Sequence, residues 1–152
     1  MNNKIYKSTN ELTPFIMDMI SKGKSVKLTV TGNSMFPLFC HEREIVEIRK
    51  CPVYRKYDII LYVRKSGELV LHRIVKIKDD VFHLCGDNQL VVEYPIYEDQ
   101  IIGKVVSFNR KGKEYAFDSF FSKAYAHIWC LSIKLRKPLM KLIYKIYRMK
   151  NK

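Results

Sequence analysis

Long apolar runs are missing from this chain of 152 residues. A membrane-spanning helix needs about 18 or more mostly apolar residues, and the longest candidate, 124–133, is shorter and includes His127 and Ser132. Residues 1–7 lead directly into polar sequence, so the apolar core of a cleavable signal peptide is also missing. We therefore expect a chain that is cytoplasmic or attached to a membrane only at its surface.

Metal-binding patterns are missing as well. The four cysteines form no CxxC pair, and the four histidines are not spaced as metal ligands are. We therefore expect no metal and no cofactor, and we interpret the cysteines as buried, reduced residues. The residues concerned are Cys40, Cys51, Cys85 and Cys130, and His41, His72, His83 and His127.

Acidic residues are absent from the C-terminal segment, residues 119–152. This segment holds nine of the 28 Lys and Arg residues and no Asp or Glu. Without these nine charges the net charge of the chain falls from +13 to +4, an ordinary value for a globular domain. Anionic partners are therefore expected at this segment.

The second half of this segment has the pattern of a basic amphipathic helix. Its large apolar side chains form one stripe at helical spacing, with the cations outside it. Two interpretations are open: the stripe enters an anionic bilayer surface, or it packs on the rest of the protein while the lysines are solvated. The stripe is Leu139, Leu142, Ile143, Ile146 and Tyr147, and the cations are Lys141, Lys145 and Arg148.

The first 118 residues have the periodicity of a mostly β domain. Apolar residues from Leu12 to Ile20 recur at helical spacing and predict a short N-terminal helix, and alternation begins at Val26. Short strands separated by polar turns follow and indicate a coiled or barrel-like sheet. We expect strands at 26–30, 44–48, 58–63, 68–77, 81–85, 101–109 and 114–117. The predicted organisation is one β domain, 1–118, and a basic helical tail, 119–152.

Ser34 stands where the first predicted strand has just ended. Gly32 permits a sharp turn before it, and Pro37 stops regular structure after it. A serine held in this way suits a nucleophile, and the backbone N–H groups around it suit an oxyanion hole. A serine beside glycine is also common in ordinary turns, so this segment alone decides little.

His72 and Asp87 are the other candidate catalytic residues. His72 lies in a strongly alternating strand; an ordinary pKa near 6.5 would let its neutral ring accept a proton from serine. Asp87 lies in a Gly-Asp-Asn turn, and behind His72 its carboxylate would orient the ring. Each also has an ordinary interpretation, as a strand histidine and a turn aspartate.

Four segments together resemble a known family. GNSMFP at 32–37 resembles the GxSMxP nucleophile box of type I signal peptidases and related self-cleaving repressor domains. DIILY at 58–62 and LHRIV at 71–75 are similar to their second and third boxes. GDNQ at 86–89 with IGKV at 102–105 is similar to their closing motif. The order and spacing match across about half of the chain.

The resemblance implies a coiled β fold and a peptidase site. Ser34 would be the nucleophile, His72 the base and Asp87 the third member, with an extended peptide bound beside a strand edge. Histidine rather than lysine in the third box is similar to the endoplasmic-reticulum and archaeal enzymes. The residues expected to bind substrate or form the oxyanion hole are Gly32, Asn33, Met35 and Pro37.

Three functions remain to be weighed. The first is a serine endopeptidase that cleaves a leader or signal-like peptide. The second is a catalytically silent peptide-binding module of the same fold, held at a membrane surface. The third is nucleic-acid binding, which is disfavoured because the chain has neither a helix-turn-helix nor an aromatic RNA-binding strand.

Overall fold

A computed structural model describes residues 9–117, 120–131 and 136–150. Helix α1 spans Thr9–Ser21, α2 spans Phe120–Cys130 and α3 spans Arg136–Lys150. The strands are β1 Val26–Thr29, β2 Glu44–Arg49, β3 Ile59–Val63, β4 Leu69–Lys78, β5 Val81–Cys85, β6 Glu93–Ile96, β7 Ile101–Arg110 and β8 Lys113–Ala116. A short 3-10 turn, Glu98–Gln100, precedes β7.

The eight strands form one sheet in the order β1-β2-β7-β3-β4-β5-β6, and β8 pairs with β7. All of the strand pairs are antiparallel. The mostly β fold predicted from the sequence is confirmed. Within the described residues β1 and β6 do not pair with each other, so the sheet stays open rather than closing into a barrel.

Most strands lie where the periodicity predicts them. Strand β1 alternates between half-buried and exposed positions, while β3 is buried at four consecutive residues because its two faces pack into different apolar clusters. The sequence pattern does not predict strand β6. It has four residues and contains Pro95, which cannot donate a ladder hydrogen bond and is tolerated because β6 is an edge strand.

Among the described residues two apolar clusters form the core of the β domain, and the first fixes the segment that carries Ser34. Ile16 and Ile20 of α1 pack with Met35 and Phe39 in this cluster. The α1 stripe is confirmed except at Phe15, which lies at its margin and stays 60% exposed. The second cluster contains Tyr54, Ile60, Tyr62, Val70, Ile74, Phe82, Leu84, Ile96 and Ile101.

The C-terminal segment forms two helices. Trp129 of α2 and Met140 of α3 are buried in a third cluster with Phe36 and Cys40. The helices therefore pack on the same segment of chain that carries Ser34. No helix in the described part of the chain has both the length and the apolar character needed to cross a bilayer.

Candidate active site

Ser34 lies in a loop, residues 31–40, that we call the serine loop. Gly32 has a φ of +78°, a conformation that favours glycine, and the turn it makes leads into Ser34. The two residues after Ser34, Met35 and Phe36, are almost fully buried, whereas Ser34 is only half-buried. The serine is thus anchored by the core and still reachable from outside.

The loop between β5 and β6 packs tightly against the serine loop. The Asn88 backbone N–H donates to the Ser34 carbonyl oxygen at 2.8 Å, and the Asn88 side chain donates to the Asn33 carbonyl oxygen at 3.0 Å. A Cβ atom placed on Gly86 would stand 2.6 Å from the Ser34 carbonyl oxygen, closer than atoms approach in proteins. The sequence therefore needs glycine at position 86 for this contact.

Strand pairing brings the same glycine to His72. Arg73 of β4 pairs with Cys85 of β5 in antiparallel register, so Gly86 lies one step further, opposite His72. Ser34 and His72 are distant in sequence, yet Gly86, which approaches the Ser34 carbonyl oxygen, directly follows the residue that pairs with Arg73, the neighbour of His72. Among the described residues no hydrogen bond joins the Ser34 hydroxyl to the His72 ring.

Two groups occupy the Nδ1 side of His72. The Tyr62 hydroxyl oxygen lies 3.3 Å from Nδ1, and Oε1 of Glu93 lies 3.4 Å from it. The Tyr62 hydroxyl donates to Oε2 of Glu93 at 2.7 Å, so its oxygen is left to accept from Nδ1. Glu93 is itself held by the Arg64 guanidinium, whose Nε donates to Oε2 at 2.9 Å.

Burial determines how His72 titrates. The residue is 1% exposed, and loss of solvation lowers its pKa to about 4, with Glu93 opposing the shift only in part. The ordinary pKa expected from the sequence is therefore not found. Partial burial opposes ionisation of Glu93, but hydrogen bonds from Arg64 and Tyr62 outweigh it and lower the pKa of this carboxyl.

Asp87 does not take the place expected for it behind His72. Its carboxylate forms a bidentate ion pair with Arg73, with Nε–Oδ1 at 2.8 Å and Nη2–Oδ2 at 2.7 Å, and accepts a bond from the Tyr125 hydroxyl at 3.3 Å. Both members of the ion pair are fully buried. Alternation explains the difference, because neighbouring residues of β4 point to opposite faces and Asp87 meets the face that carries Arg73.

The four residues expected around the nucleophile are not equivalent. The Gly32 N–H donates to Nδ1 of His41 at 3.0 Å, so it is occupied, and Pro37 has no N–H to offer. In the part of the chain that the structure describes, the N–H groups of Asn33, Ser34 and Met35 donate to no other residue. Any oxyanion hole in this loop would therefore use these donors.

The C-terminal helices brace the β5–β6 loop. The Trp129 indole N–H donates to the Asp87 carbonyl oxygen at 2.9 Å. Arg136, which is 2% exposed, donates to the carbonyl oxygens of Gly86 at 3.0 Å and Gln89 at 3.3 Å. The Asn88 amide contacts the Tyr144 hydroxyl at 2.8 Å. The tail expected from the sequence as an appendage thus supports the loop that contacts Ser34.

Tyr62 and Glu93 were not identified as site residues from the sequence. A signal for Tyr62 existed, because the Arg64–Gly67 turn fixes the β3–β4 register and places Tyr62 diagonally across from His72. No comparable signal exists for Glu93, whose position depends on the short edge strand β6.

Comparison with known proteins identifies the family of the chain. No curated protein matches the chain. The family model described as Peptidase S24-like matches residues 2–106, which include the serine loop, His72 and the β5–β6 loop, and end before α2. This match supports the peptidase superfamily suggested by the four sequence segments. The chain belongs to the Peptidase S24-like family.

Proposed function

We propose that the chain is a serine endopeptidase in which Ser34 is the nucleophile and His72 the general base. The observation that carries the proposal is the contact between Ser34 and Gly86, opposite His72. It brings the serine loop to the part of β4 that bears the imidazole. Family membership supports the same chemistry.

The environment of His72 favours the tautomer that a base needs. With the Nδ1 proton directed to the Tyr62 oxygen and Glu93, the Nε2 lone pair is left for the Ser34 hydroxyl. A pKa of about 4 keeps the ring neutral at pH 7. The Ser34–His72 hydrogen bond would form when substrate binds, since such bonds are often long or absent before that step.

Catalysis would then follow the acyl-transfer pattern. His72 accepts the Ser34 proton as Oγ attacks the scissile carbonyl carbon, and the resulting oxyanion is bound by the free N–H groups of the serine loop. His72 next donates the proton to the leaving amine. Water, deprotonated by the same ring, hydrolyses the acyl-enzyme and regenerates Ser34.

The substrate class follows from the resemblance to signal peptidases. We propose an extended leader or signal-like peptide as the substrate. We also propose that the chain is of the same type as the endoplasmic-reticulum and archaeal enzymes, because it has histidine at position 72. In this assignment Glu93, rather than Asp87, orients the base, because Glu93 lies within reach of Nδ1 while Asp87 is paired with Arg73.

Labelling with a serine-reactive fluorophosphonate tests the nucleophile. We expect the wild-type protein to be labelled, Ser34→Ala to lose the label, and His72→Ala to react at least about 10²-fold more slowly because the base is gone. Ser66→Ala, an exposed turn serine, is the matched control and should label as the wild type does. Cleavage of precursor peptides by the same variants should follow the same order.

The second candidate is a catalytically silent module that only holds an extended peptide. It is favoured by the missing Ser34–His72 hydrogen bond within the described chain and by the low pKa of His72, which makes the ring a weak base. Here the wild type would not be labelled, and Ser34→Ala would leave peptide binding unchanged. Labelling of Ser34 in the wild type with cleavage of peptide excludes this candidate.

A further inference from the structure

Helix α3 has one broad apolar face, and only part of it is covered by the protein. The covered part, at spacing i, i+3, i+4 and i+7, faces the serine loop: Met140 is buried, and Tyr144 stacks on Phe36 with ring centroids 4.6 Å apart. Ile143 packs in the same cluster, and the Tyr147 ring meets the edge of Phe36 at 5.5 Å. This contact holds α3 in one rotational setting on the protein.

The rest of the apolar face is largely exposed. Leu139, Leu142, Ile146 and Met149 recur at i, i+3, i+7 and i+10 and are 43%, 54%, 45% and 71% exposed. We call these four residues the outer stripe. The single stripe expected from the sequence is thus only partly covered: Ile143 and Tyr147 pack on the protein, and Leu139 and Leu142 are exposed. Ile146 lies at the margin, where it lines a cavity with Phe36 and Pro37.

Cations occupy the remaining face of α3. Lys141, Lys145 and Arg148 are all exposed; at about 3.6 residues per turn, Lys145 borders Met149 of the outer stripe and Arg148 borders Tyr144. The sequence of residues 119–152 contains no acid that would neutralise them. A helix that exposes an apolar stripe beside a row of cations fits the boundary between lipid headgroups and acyl chains.

We propose that the outer stripe and its flanking cations bind the surface of an anionic lipid bilayer. Two other occupants fit the same surface less well. A second copy packed across a two-fold axis would bring the same uncompensated cations close together, which is unfavourable. A nucleic acid would satisfy the cations but leave four apolar side chains in water.

Helix α3 carries the outer stripe and also contacts the serine loop. Because the covered part of its apolar face stacks on Phe36, two residues after Ser34, a bilayer bound to the exposed part lies within one helix width of the serine loop. Membrane binding would therefore place the candidate active site near the lipid surface. The lipid contact itself does not depend on Ser34 chemistry.

Vesicle flotation tests the proposal on the full chain. We expect binding to vesicles of phosphatidylcholine with phosphatidylglycerol, weak binding to phosphatidylcholine alone, and loss of binding at high salt. Lys141→Gln/Lys145→Gln/Arg148→Gln should weaken binding about 10²-fold, since each cation contributes about a factor of five near an anionic surface. Leu142→Gln/Met149→Gln should weaken it about tenfold.

The matched control removes the same charge elsewhere. Lys24→Gln/Lys27→Gln/Lys65→Gln changes three exposed lysines of the β domain, and we expect its binding to stay within about twofold of the wild type. Equal losses in both triple variants would mean non-specific attraction to net charge and would overturn the proposal. An outer-stripe variant that binds vesicles normally but no longer dimerises, or no longer binds DNA, would also overturn it in favour of that occupant.

The same variants separate this proposal from the proposed function. Fluorophosphonate labelling in solution should be unchanged in the cation variant and in Leu142→Gln/Met149→Gln, because these side chains are exposed and none of them lines the cavity beside the serine loop. Ser34→Ala should float with vesicles as the wild type does. Each proposal can therefore fail while the other holds.

Discussion

At the scale of single residues, Glu93 places a carboxylate within 3.4 Å of Nδ1 of His72. Replacing it with Gln removes the anion that stabilises the imidazolium, so the pKa of His72 should fall below its wild-type value of about 4. The ring would also lose an orienting partner, and we expect kcat/KM at pH 7 to fall about 10²-fold. In the wild type, kcat/KM should rise with pH through an apparent pKa of about 4 and be flat from pH 6 to 8.

Glu68→Gln provides the matched control for Glu93→Gln. Glu68 also pairs with Arg64, yet it does not contact the His72 ring. Its replacement should leave kcat/KM within a few-fold of the wild type. Nuclear magnetic resonance titration of His72 gives its pKa without turnover, and a higher pKa in Glu93→Gln would contradict the assignment.

Burial of His72 also makes the stability of the fold depend on pH. The pKa of its ring is about 4 in the folded protein and about 6.5 in the unfolded chain. Between these values the unfolded chain binds more protons, so this contribution to the free energy of unfolding is complete above pH 6.5. It is lost as the pH falls toward 4, by about 3 kcal/mol in all.

His72→Gln should remove this part of the pH dependence. Urea denaturation at pH 7 and at pH 4.5 would show a smaller difference in the variant than in the wild type. His127→Gln, at an exposed ring, should keep the wild-type difference. A pH dependence that is the same in wild type and His72→Gln would show that His72 is solvated in the folded state.

At the scale of the elements, the Arg73–Asp87 pair joins strand β4 to the loop after β5. Asp87→Asn leaves a fully buried guanidinium without its carboxylate, and we expect a loss of about 3–5 kcal/mol in the free energy of unfolding. The double variant Arg73→Leu/Asp87→Leu, which removes both charges, should recover most of that loss. Urea denaturation of the three proteins measures these differences.

The same variants decide what Asp87 does. A positioning role predicts that fluorophosphonate labelling of Ser34, corrected for the folded fraction, is less impaired in the double variant than in Asp87→Asn. If Asp87 instead polarises His72 directly, the double variant would be as unreactive as His72→Ala while remaining folded.

The elements differ in how far the sequence determines them. Strand β5 was predicted with its observed bounds because its apolar alternation and polar turns are local signals. The Arg73–Asp87 pair could not be predicted in this way, since a turn aspartate has no pattern that selects one partner among several cations. Contacts between loops depend on strand register and on the short strand β6, and these are properties of the assembled sheet.

The helices illustrate the same limit. Periodicity predicted an amphipathic helix over the second half of the tail, and α3 confirms it. Its contact with Phe36, and which part of its apolar face is covered, depend on what α3 packs against. The Arg136 contacts with the Gly86 and Gln89 carbonyl oxygens likewise join two distant segments that carry no shared motif.

At the scale of the whole molecule, the C-terminal helices and the β domain act as one unit around the site. A chain ending at residue 118 would lose the Trp129 and Arg136 hydrogen bonds to the β5–β6 loop and would expose Phe36. We therefore expect the shortened chain to be less stable by several kcal/mol, because it loses a buried cluster and hydrogen bonds from a charged donor.

Labelling of Ser34 in solution distinguishes a supporting helix pair from a separable membrane tail. We expect the shortened chain to react at least tenfold more slowly with fluorophosphonate even without lipid, because the loop that holds the Ser34 carbonyl would be free to move. Arg136→Gln should give a smaller loss in the same direction, and Arg148→Gln, which is exposed, should give none. Full reactivity of a folded 1–118 chain would show that the helices serve only to bind a surface.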